Sequence, residues 1–280
     1  MQQLSERIAG LSLSQVLLLL LLFTVLRAGM YSSRVPFLRA LGDLLESFLL
    51  AVALVFLLLR PFVVQSYFIP SGSMRPTLQE GDQILVNKWI YRVQEPKRGE
   101  VVVFRAPEAA SADEKEFIKR LIGLPGDRVE IQEGYVQVGS ATYTHYDILR
   151  CVDDSYSVDR QDLPTETPLR LTTDAIWVGS RRINPEEFAE AAGKPGASVR
   201  IQPGRVLRNN QVLMECYVGE DVHYRMEPRV VPSGHYFVLG DNRNHSDDSH
   251  RWGMLPADRL IGRAEFVFWP LPHIKRFCTE

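Results

Sequence analysis

A serine in a rigid loop and a lysine in an apolar stretch are the residues of this chain whose types and setting point to nucleophilic chemistry. Ser73 lies in Pro70-Ser-Gly-Ser-Met-Arg-Pro-Thr-Leu78, where glycine and proline favour a tight loop that exposes a hydroxyl. Lys119 lies in Phe117-Ile-Lys-Arg-Leu-Ile122. On a strand its side chain points opposite to those of its two neighbours, so we expect Lys119 in the interior while Arg120 stays solvated. Burial favours the neutral amine, the form that accepts a proton from a serine hydroxyl.

A third polar cluster, Gly240-Asp-Asn-Arg-Asn-His-Ser-Asp-Asp-Ser249, follows the predicted strand Tyr236–Leu239. Its turn-forming residues favour a loop in which side chains are fixed by hydrogen bonds. Hydroxyls in such a loop can hold a neutral lysine amine in a reactive direction. The three stretches together predict a Ser-Lys hydrolytic site.

Other functions remain open at this level. His235, His245 and His250 lie near several aspartates, and a Ser-His-Asp triad is defined by geometry rather than by chain order. A histidine base keeps activity at neutral pH, whereas a lysine base shifts activity to alkaline pH. Two further alternatives are a self-cleaving repressor with a Ser-Lys pair and a catalytically silent membrane module that binds exported proteins.

The N-terminal segment, residues 1–65, is predicted to be a membrane anchor. No charged residue occurs from residue 8 to residue 26, and a second apolar run covers residues 47–69 with two polar interruptions. Roughly 20 apolar residues cross a bilayer as a helix, so we expect spans at about 8–28 and 44–64. A cleaved signal peptide is the alternative for the first run, although a positive charge excess is missing before it.

Basic residues between the two apolar runs predict the orientation. Arg27, Arg34 and Arg39 lie in the connector, and basic residues in short loops remain on the cytoplasmic side. The chain after Ile69 is therefore expected on the extracytoplasmic side, with the lipid bilayer as a partner.

Short β-branched stretches separated by glycine and proline predict a mainly β body after the anchor. Expected strands include Gln83–Val86, Glu100–Phe104 and Tyr236–Leu239, and the one soluble helix expected is Asn184–Ala192, with asparagine at the N-cap and proline at N1.

An internal similarity predicts how the body is divided. Val129–Val136 and Val199–Val206 share the pattern Val-x-Ile-Gln-x-Gly-x-Val, which is typical of a strand, a turn and a returning strand. We interpret the polar stretch between them, about 139–198, as an insertion. The expected domains are a catalytic β core, 66–138 and 236–280, and a cap subdomain, 139–235.

Charge and cysteine content exclude several partners. The 32 Lys and Arg residues nearly balance the 34 Asp and Glu residues and are dispersed, so no nucleic-acid partner is expected. Cys151, Cys216 and Cys278 lack metal-ligand spacing, and no metal is predicted. Cys151 and Cys216 either pair in an oxidising compartment or stay as thiols, with Cys278 left over in both cases.

The motifs resemble the sequence boxes of the type I signal peptidases, the bacterial leader peptidases with a Ser-Lys dyad and their organellar relatives. The boxes occur in family order as Pro70–Leu78, Gly99–Phe104, Ile118–Asp127 and Gly240–Ser249. The resemblance implies an antiparallel β-sheet body behind two transmembrane helices. It also implies a serine endopeptidase of the bacterial inner membrane that needs no cofactor and faces the extracytoplasmic side. Such an enzyme cleaves signal peptides from preproteins after Ala-x-Ala, through an acyl-enzyme, beside the protein-export machinery.

The resemblance also assigns roles to individual residues. It implies that Ser73 is the nucleophile and Lys119 the general base, and that Ser71 joins the Ser73 amide in an oxyanion hole. Ser246 would orient the lysine, and two further residues would support the site. Those two are Asp248 and Gly240. The residues implied to contact the substrate are Ile69, Pro70, Met74, Leu78, Ile84, Val103, Phe117 and Ile118.

The last box departs from the family pattern at two positions. His245 stands where the family usually has asparagine, and His250 stands where it usually has arginine. We therefore expect Arg251 or Arg243 to supply the ion pair that supports this loop.

Overall fold

Two helices lie in the described part of the N-terminal region, and the described body after them is built mainly from short antiparallel strands. The computed structural model describes residues 13–31, 35–53, 64–113, 115–152 and 169–278. The helices are α1 (Leu13–Tyr31), α2 (Pro36–Ala53), α3 (His145–Val152), α4 (Pro185–Ala191) and α5 (Ser249–Trp252).

Helices α1 and α2 lie against each other. A Cβ atom placed on Gly42 of α2 would lie 3.8 Å from the Cβ of Met30 in α1, and Arg27 forms an ion pair with Glu46. Within the described ranges, neither helix has the length and apolar character needed to cross a membrane. The expected spans 8–28 and 44–64 also include residues 8–12 and 54–63, which lie outside those ranges.

The prediction of a mainly β body is confirmed. The strands are β1 (Val64–Phe68), β2 (Gln83–Asn87), β3 (Val101–Arg105), β4 (Glu116–Gly123), β5 (Arg128–Gln132), β6 (Tyr135–Val138), β7 (Ala141–Tyr143), β8 (Leu169–Leu171), β9 (Ile176–Val178), β10 (Arg181–Ile183), β11 (Val199–Gln202), β12 (Arg205–Arg208), β13 (Gln211–Val212), β14 (Met226–Val230), β15 (His235–Leu239), β16 (Leu255–Pro256), β17 (Leu260–Trp269) and β18 (Lys275–Arg276).

The largest sheet carries the three motifs. Its order is β1-β2-β17-β3-β4-β15-β16, with β18 beside β17, and all its pairings are antiparallel. β4, which bears Lys119, lies centrally between β3 and β15. Both faces of this sheet are covered, one by the cluster around Ile84 and Val103 and the other by the cluster around Phe104 and Leu121. The three motifs therefore meet at strands that are held from both sides.

The two similar stretches pair with each other in a crossed arrangement. β6 of the first stretch pairs with β11 of the second, and β5 pairs with β12. The shared glycines pack together where the stretches cross, because a Cβ atom on Gly134 would lie 2.7 Å from the Gly204 nitrogen. The similarity thus reflects two strand pairs that cross with backbone in close contact, a contact that a side chain would block.

The insertion shares a hydrophobic core with the crossed strands. Ile148 of α3, Phe188 of α4 and Ile183 of β10 are buried together with Val136 and Ile201 from the crossed strands. The predicted helix at residues 184–192 is present as α4, with Asn184 at its N-cap. α3 was not predicted, and with its β7 neighbour it begins the insertion.

A disulfide joins two distant parts of the body and corrects the cysteine prediction. Cys216 is bonded to Cys278, across 62 residues, and Cys151 is a half-buried free thiol. Both alternatives left Cys278 over, and both were wrong because Cys151 packs into the core of the insertion, whereas the C-terminal segment returns along β17 and β18 to Cys216.

Candidate active site

The loop that carries Ser73 is closed at both ends by the backbone. The Ile69 nitrogen donates to the Asp82 carbonyl, and the Gly81 nitrogen donates to the Ile69 carbonyl, each at 2.9 Å. Residues 72–74 form a single 3-10 turn, and Met74 is fully buried beneath it. The anchored methionine fixes the turn, and Ser73 is left half-buried at the surface of a cleft.

Lys119 reaches this serine from the central strand β4. Its side chain is only 5% exposed. A hydrogen bond of 2.9 Å joins Nζ to the Ser73 Oγ, and Nζ also donates to the Ile118 carbonyl at 3.0 Å. The structure therefore brings together two residues that are 46 positions apart in the sequence.

Burial increases the fraction of Lys119 that is neutral at a given pH. It lowers the pKa of Lys119 from 10.5 to about 8, against the opposing charges of Asp248, Asp247 and Asp241, which raise this pKa. The change corresponds to about 3 kcal/mol between the charged and neutral forms. A neutral amine within hydrogen-bond distance of a hydroxyl can take its proton as the oxygen attacks a carbonyl carbon.

Gly240 lets the third loop approach the serine closely. A Cβ atom at this position would lie 2.4 Å from the Ser73 carbonyl oxygen and 2.2 Å from the Ser246 Oγ. Asn242, to which the sequence assigned no role, fixes the same contact. Its backbone nitrogen donates to the Ser73 carbonyl at 3.1 Å, and its side chain donates to the Gly72 carbonyl at 3.0 Å. The only sequence signal for Asn242 was its place next to Gly240 and Asp241.

Ser246 and Asp248 lie in the interior behind the serine and the lysine. Asp248 is fully buried and accepts from the Gly240 nitrogen at 2.9 Å. The Ser246 Oγ is buried too, and no group in the described ranges makes a hydrogen bond with it. The hydrogen bond expected from Ser246 to Lys119 is thus not formed in this arrangement.

Arg120 is fully buried, which corrects the expectation that it stays solvated. Its guanidinium forms an ion pair with Asp241 at 2.6 Å and donates to the carbonyls of Gly99 and Cys278, each at 2.7 Å. Alternation along a strand exposes one face only when that face meets water. β4 lies between two covered faces, so the second side chain is buried as well and needs its own counter-charge.

The histidine at position 250 supplies the partner that was expected from Arg243 or Arg251. His250 Nδ1 lies 2.6 Å from the Asp248 carboxylate. Arg251 instead donates to His250 Nε2 at 3.3 Å, and Arg243 forms a buried ion pair with Glu215. The expectation was wrong because α5 starts at Ser249. The first turn of this helix places His250 next to Asp248, which is the N-cap of the helix.

The residues that the resemblance assigns to the substrate fall into two groups. Pro70, Phe117 and Ile118 line the cleft at Ser73, together with Ser71. The others lie in the buried cluster behind that wall; they are Ile69, Met74, Leu78, Ile84 and Val103.

The cleft is open, has a volume of about 1090 Å³, and includes residues that the sequence did not single out. Gly219 and Glu220 reach it from the segment before β14, and Asp247 and His245 reach it from the third loop. Tyr67 and Glu116 line another part and are joined by a hydrogen bond of 3.3 Å. The segment around Glu220 has no motif of its own, and only the fold brings it to the serine.

Comparison with known proteins identifies the family. The model of the family described as "Signal peptidase, peptidase S26" matches residues 41–185 and 191–269. "Probable signal peptidase I-2" of Synechocystis sp. is 32% identical over 218 residues, which cover 77% of this chain and 68% of that protein. "Probable signal peptidase I-1" of the same organism is 33% identical over 227 residues, 79% of this chain and 80% of that protein. "Signal peptidase I" of Leptolyngbya laminosa is 31% identical over 217 residues, 76% of this chain and 72% of that protein.

The matched residues include all three motifs that meet at the cleft. A serine beside a buried lysine at that cleft agrees with the hydrolytic chemistry of a serine protease. The chain therefore belongs to the signal peptidase family, peptidase S26, and is a serine-protease hydrolase of that family.

Proposed function

We propose that this protein is a serine endopeptidase that removes N-terminal signal peptides from exported preproteins with a Ser73-Lys119 dyad. The observation that carries the proposal is the hydrogen bond of 2.9 Å between the Ser73 Oγ and the Nζ of a buried lysine. Family membership supports the cleavage of signal peptides. The identity of the nucleophile and the base rests on the geometry.

The reaction follows from that pair. Neutral Lys119 takes the proton of the Ser73 hydroxyl as the oxygen attacks the scissile carbonyl carbon. When the tetrahedral intermediate collapses, the C–N bond breaks and the Lys119 ammonium gives its proton to the departing amine. Water then attacks the Ser73 ester, with Lys119 again taking a proton. The ester C–O bond breaks, Lys119 returns the proton to the Ser73 Oγ, and the signal peptide leaves with a free carboxylate. No cofactor takes part in this sequence.

An oxyanion hole is proposed at the start of the same turn. The Ser73 backbone N–H and the Ser71 hydroxyl are the donors. Ser71 is exposed, has an extended backbone with φ −141° and ψ 156°, and lines the cleft. One such donor contributes about 3 kcal/mol to transition-state stabilisation.

The proposed specificity is for small residues before the cleaved bond, in the Ala-x-Ala pattern. Pro70, Phe117 and Ile118 supply apolar surface beside Ser73, and the cluster around Ile84 and Val103 fills the space behind them. Because that space is occupied, bulky side chains are excluded sterically.

We also propose that the N-terminal segment anchors the protein in the bacterial inner membrane, with the body on the extracytoplasmic side. The support is the uncharged run of residues 8–26 and the basic residues in the connector. Ser73 lies nine residues after position 64, so the cleft would stand near the bilayer and near the export machinery that delivers preproteins. Protease accessibility of the body in spheroplasts, compared with inverted vesicles, tests this orientation.

Mixing the detergent-solubilised full chain with a preprotein tests the dyad. We expect Ser73→Ala and Lys119→Ala to abolish cleavage, and Ser71→Ala to lower kcat on the order of 100-fold. His245→Ala should remain active, because His245 hydrogen-bonds with Asn242 and not with Ser73. Cleavage by Ser73→Ala would overturn the mechanism, and loss of activity only in His245→Ala would favour a triad.

A further inference from the structure

The wall of the cleft near Lys119 carries two carboxylates that the proposed dyad does not use. Asp247 is exposed on the third loop, and Glu220 reaches the same cleft from the segment before β14. His245 also lines the cleft, with Nδ1 3.7 Å from the Glu220 carboxylate. Throughout the described ranges, neither carboxylate forms an ion pair with a lysine or an arginine.

Most other charged groups of the cleft are paired with a group of opposite charge. Asp241 is paired with Arg120, and Arg75 is paired with Glu80 at 2.7 Å. Lys115, which also lines the cleft, lies 3.5 Å from Asp113. Glu116 keeps its negative charge while it accepts a hydrogen bond from Tyr67. Asp247 and Glu220 therefore form a negatively charged part of the wall that no lysine or arginine of the described ranges neutralises.

Asp247 is exposed in the cleft near the proposed base. Its charge acts on Lys119 and raises the pKa of the amine. The proposed proton transfers do not use this carboxylate, so it is available for contact with a substrate.

The direction of proton transfer shows which part of a substrate meets this wall. Under the proposed mechanism, Lys119 gives its proton to the departing amine, so the first residue after the cleaved bond must lie on the Lys119 side of Ser73. Asp247 lines the cleft close enough to Lys119 for its charge to act on the amine, and Glu220 lines the same cleft. The residues just after the cleaved bond are therefore expected to pass these carboxylates. Ser73 and Lys119, rather than these acids, make the cleft a peptide site.

We propose that Asp247 and Glu220 select substrates by charge after the cleavage site, favouring lysine or arginine among the first residues of the released protein and disfavouring aspartate or glutamate. The inference rests on the proposed function of the cleft. Partly exposed ion pairs are weak, so the expected preference is about three- to tenfold in kcat/KM, and salt should reduce it.

Three preproteins that differ only at the second residue after the cleavage site test the proposal. We expect the full-length wild-type protein in detergent to cleave the lysine form fastest, the glutamine form next and the glutamate form slowest. The double variant Asp247→Asn, Glu220→Gln should treat the three alike, and Asp247→Lys, Glu220→Lys should reverse the order. Glu116→Gln is the matched control: it removes a carboxylate from another part of the cleft and should keep the lysine-to-glutamate ratio.

Equal rates for the three substrates with wild type, or an unchanged preference in the double variants, would overturn the proposal. Fluorescence anisotropy measures the binding of the corresponding peptides to Ser73→Ala. This detects the same charge preference in binding, without cleavage. A charge preference in binding with no cleavage by wild type would contradict the dyad but support charge selection. Cleavage without any charge preference would support the dyad and contradict charge selection.

Discussion

Lys119 is the residue at which opposing physical effects are most closely balanced. Burial lowers its pKa, and the nearby carboxylates of Asp248 and Asp247 raise it, so that the value lies near 8. A completely buried lysine without acidic neighbours would be a weaker proton acceptor once neutral, and a solvated lysine would be charged at neutral pH. The intermediate value suits a base that must also return its proton to the leaving amine.

This balance predicts the pH dependence of cleavage. Only neutral Lys119 accepts the Ser73 proton, so kcat/KM should rise as pH increases through about 8 and then level off. Because Asp247 raises the pKa, Asp247→Asn should move the midpoint to lower pH. Rate measurements on a neutral preprotein between pH 6 and about 10 give both midpoints. A midpoint that stays fixed or moves upward in the variant would contradict the assignment.

His250 is predicted to be a positioning residue that acts through Asp248. It holds the buried carboxylate that accepts from the Gly240 nitrogen, and its ring stacks on Tyr224 with centroids 4.1 Å apart. His250→Ala should lower kcat on the order of 10- to 100-fold with little change in KM, because the reacting groups lose alignment.

His250→Arg should recover most of that activity, since a guanidinium can pair with the same carboxylate. His235→Ala is the control, because His235 contacts the Ser233 carbonyl at the start of β15, outside the cleft. Equal kinetics for His250→Ala and wild type would show that Asp248 needs no partner.

At the scale of elements, the site depends on how closely the loop after β15 approaches the Ser73 turn. Two backbone segments meet at Gly240, and Asn242 fastens them with two hydrogen bonds. Neither segment can move away easily, because Met74 anchors one of them and the N-cap of α5 fixes the other. The spacing between Ser73 and Lys119 is therefore set by contacts of the main chain.

Gly240→Ala is expected to abolish cleavage, because the new methyl group would lie 2.4 Å from the Ser73 carbonyl and 2.2 Å from the Ser246 Oγ. Gly219→Ala is the matched control at the same cleft. Its methyl group would lie 3.4 Å from a Pro76 side-chain carbon, an ordinary van der Waals distance. Both variants are compared in cleavage assays, and thermal unfolding checks that they fold. Activity of Gly240→Ala above about a tenth of the wild-type value would contradict this prediction.

At the scale of the whole molecule, the Cys216–Cys278 bond ties the C-terminal segment to the site. The Cys278 carbonyl accepts from Arg120, and the Tyr217 ring lies 3.6 Å from the same guanidinium. Arg120 in turn pairs with Asp241 in the third loop. The disulfide thus stabilises two of the contacts of the buried Arg120 guanidinium, whose residue is next to Lys119 on β4.

Loss of this disulfide should lower the free energy of unfolding by up to about 4 kcal/mol, because the bond closes a long loop in the unfolded chain. Urea unfolding of Cys216→Ser, compared with wild type under oxidising conditions, measures the difference. Cys151→Ala is the control and should change the midpoint only slightly. If reduction of the wild-type protein left the midpoint unchanged, the bond would not contribute to stability.

The sequence by itself determined several of the elements and the main chemical groups of the site. Strand patterns, the glycine-proline loop around Ser73 and the apolar setting of Lys119 are local features, and each depends on a few neighbouring residues. The same holds for the helix at Asn184. These features were sufficient to predict a mainly β body and to select the two residues that the structure brings within 2.9 Å.

Only the tertiary structure decided the burial of Arg120, the pairing of Cys216 with Cys278, the His250–Asp248 contact and the presence of Glu220 in the cleft. Each of these depends on which elements cover one another. The residue pattern of a strand does not show whether its second face meets water or another layer. The residues next to a cysteine do not show which distant strand will lie beside it. Contacts between residues far apart in the chain are set by packing, and that is why they were absent from the local sequence pattern.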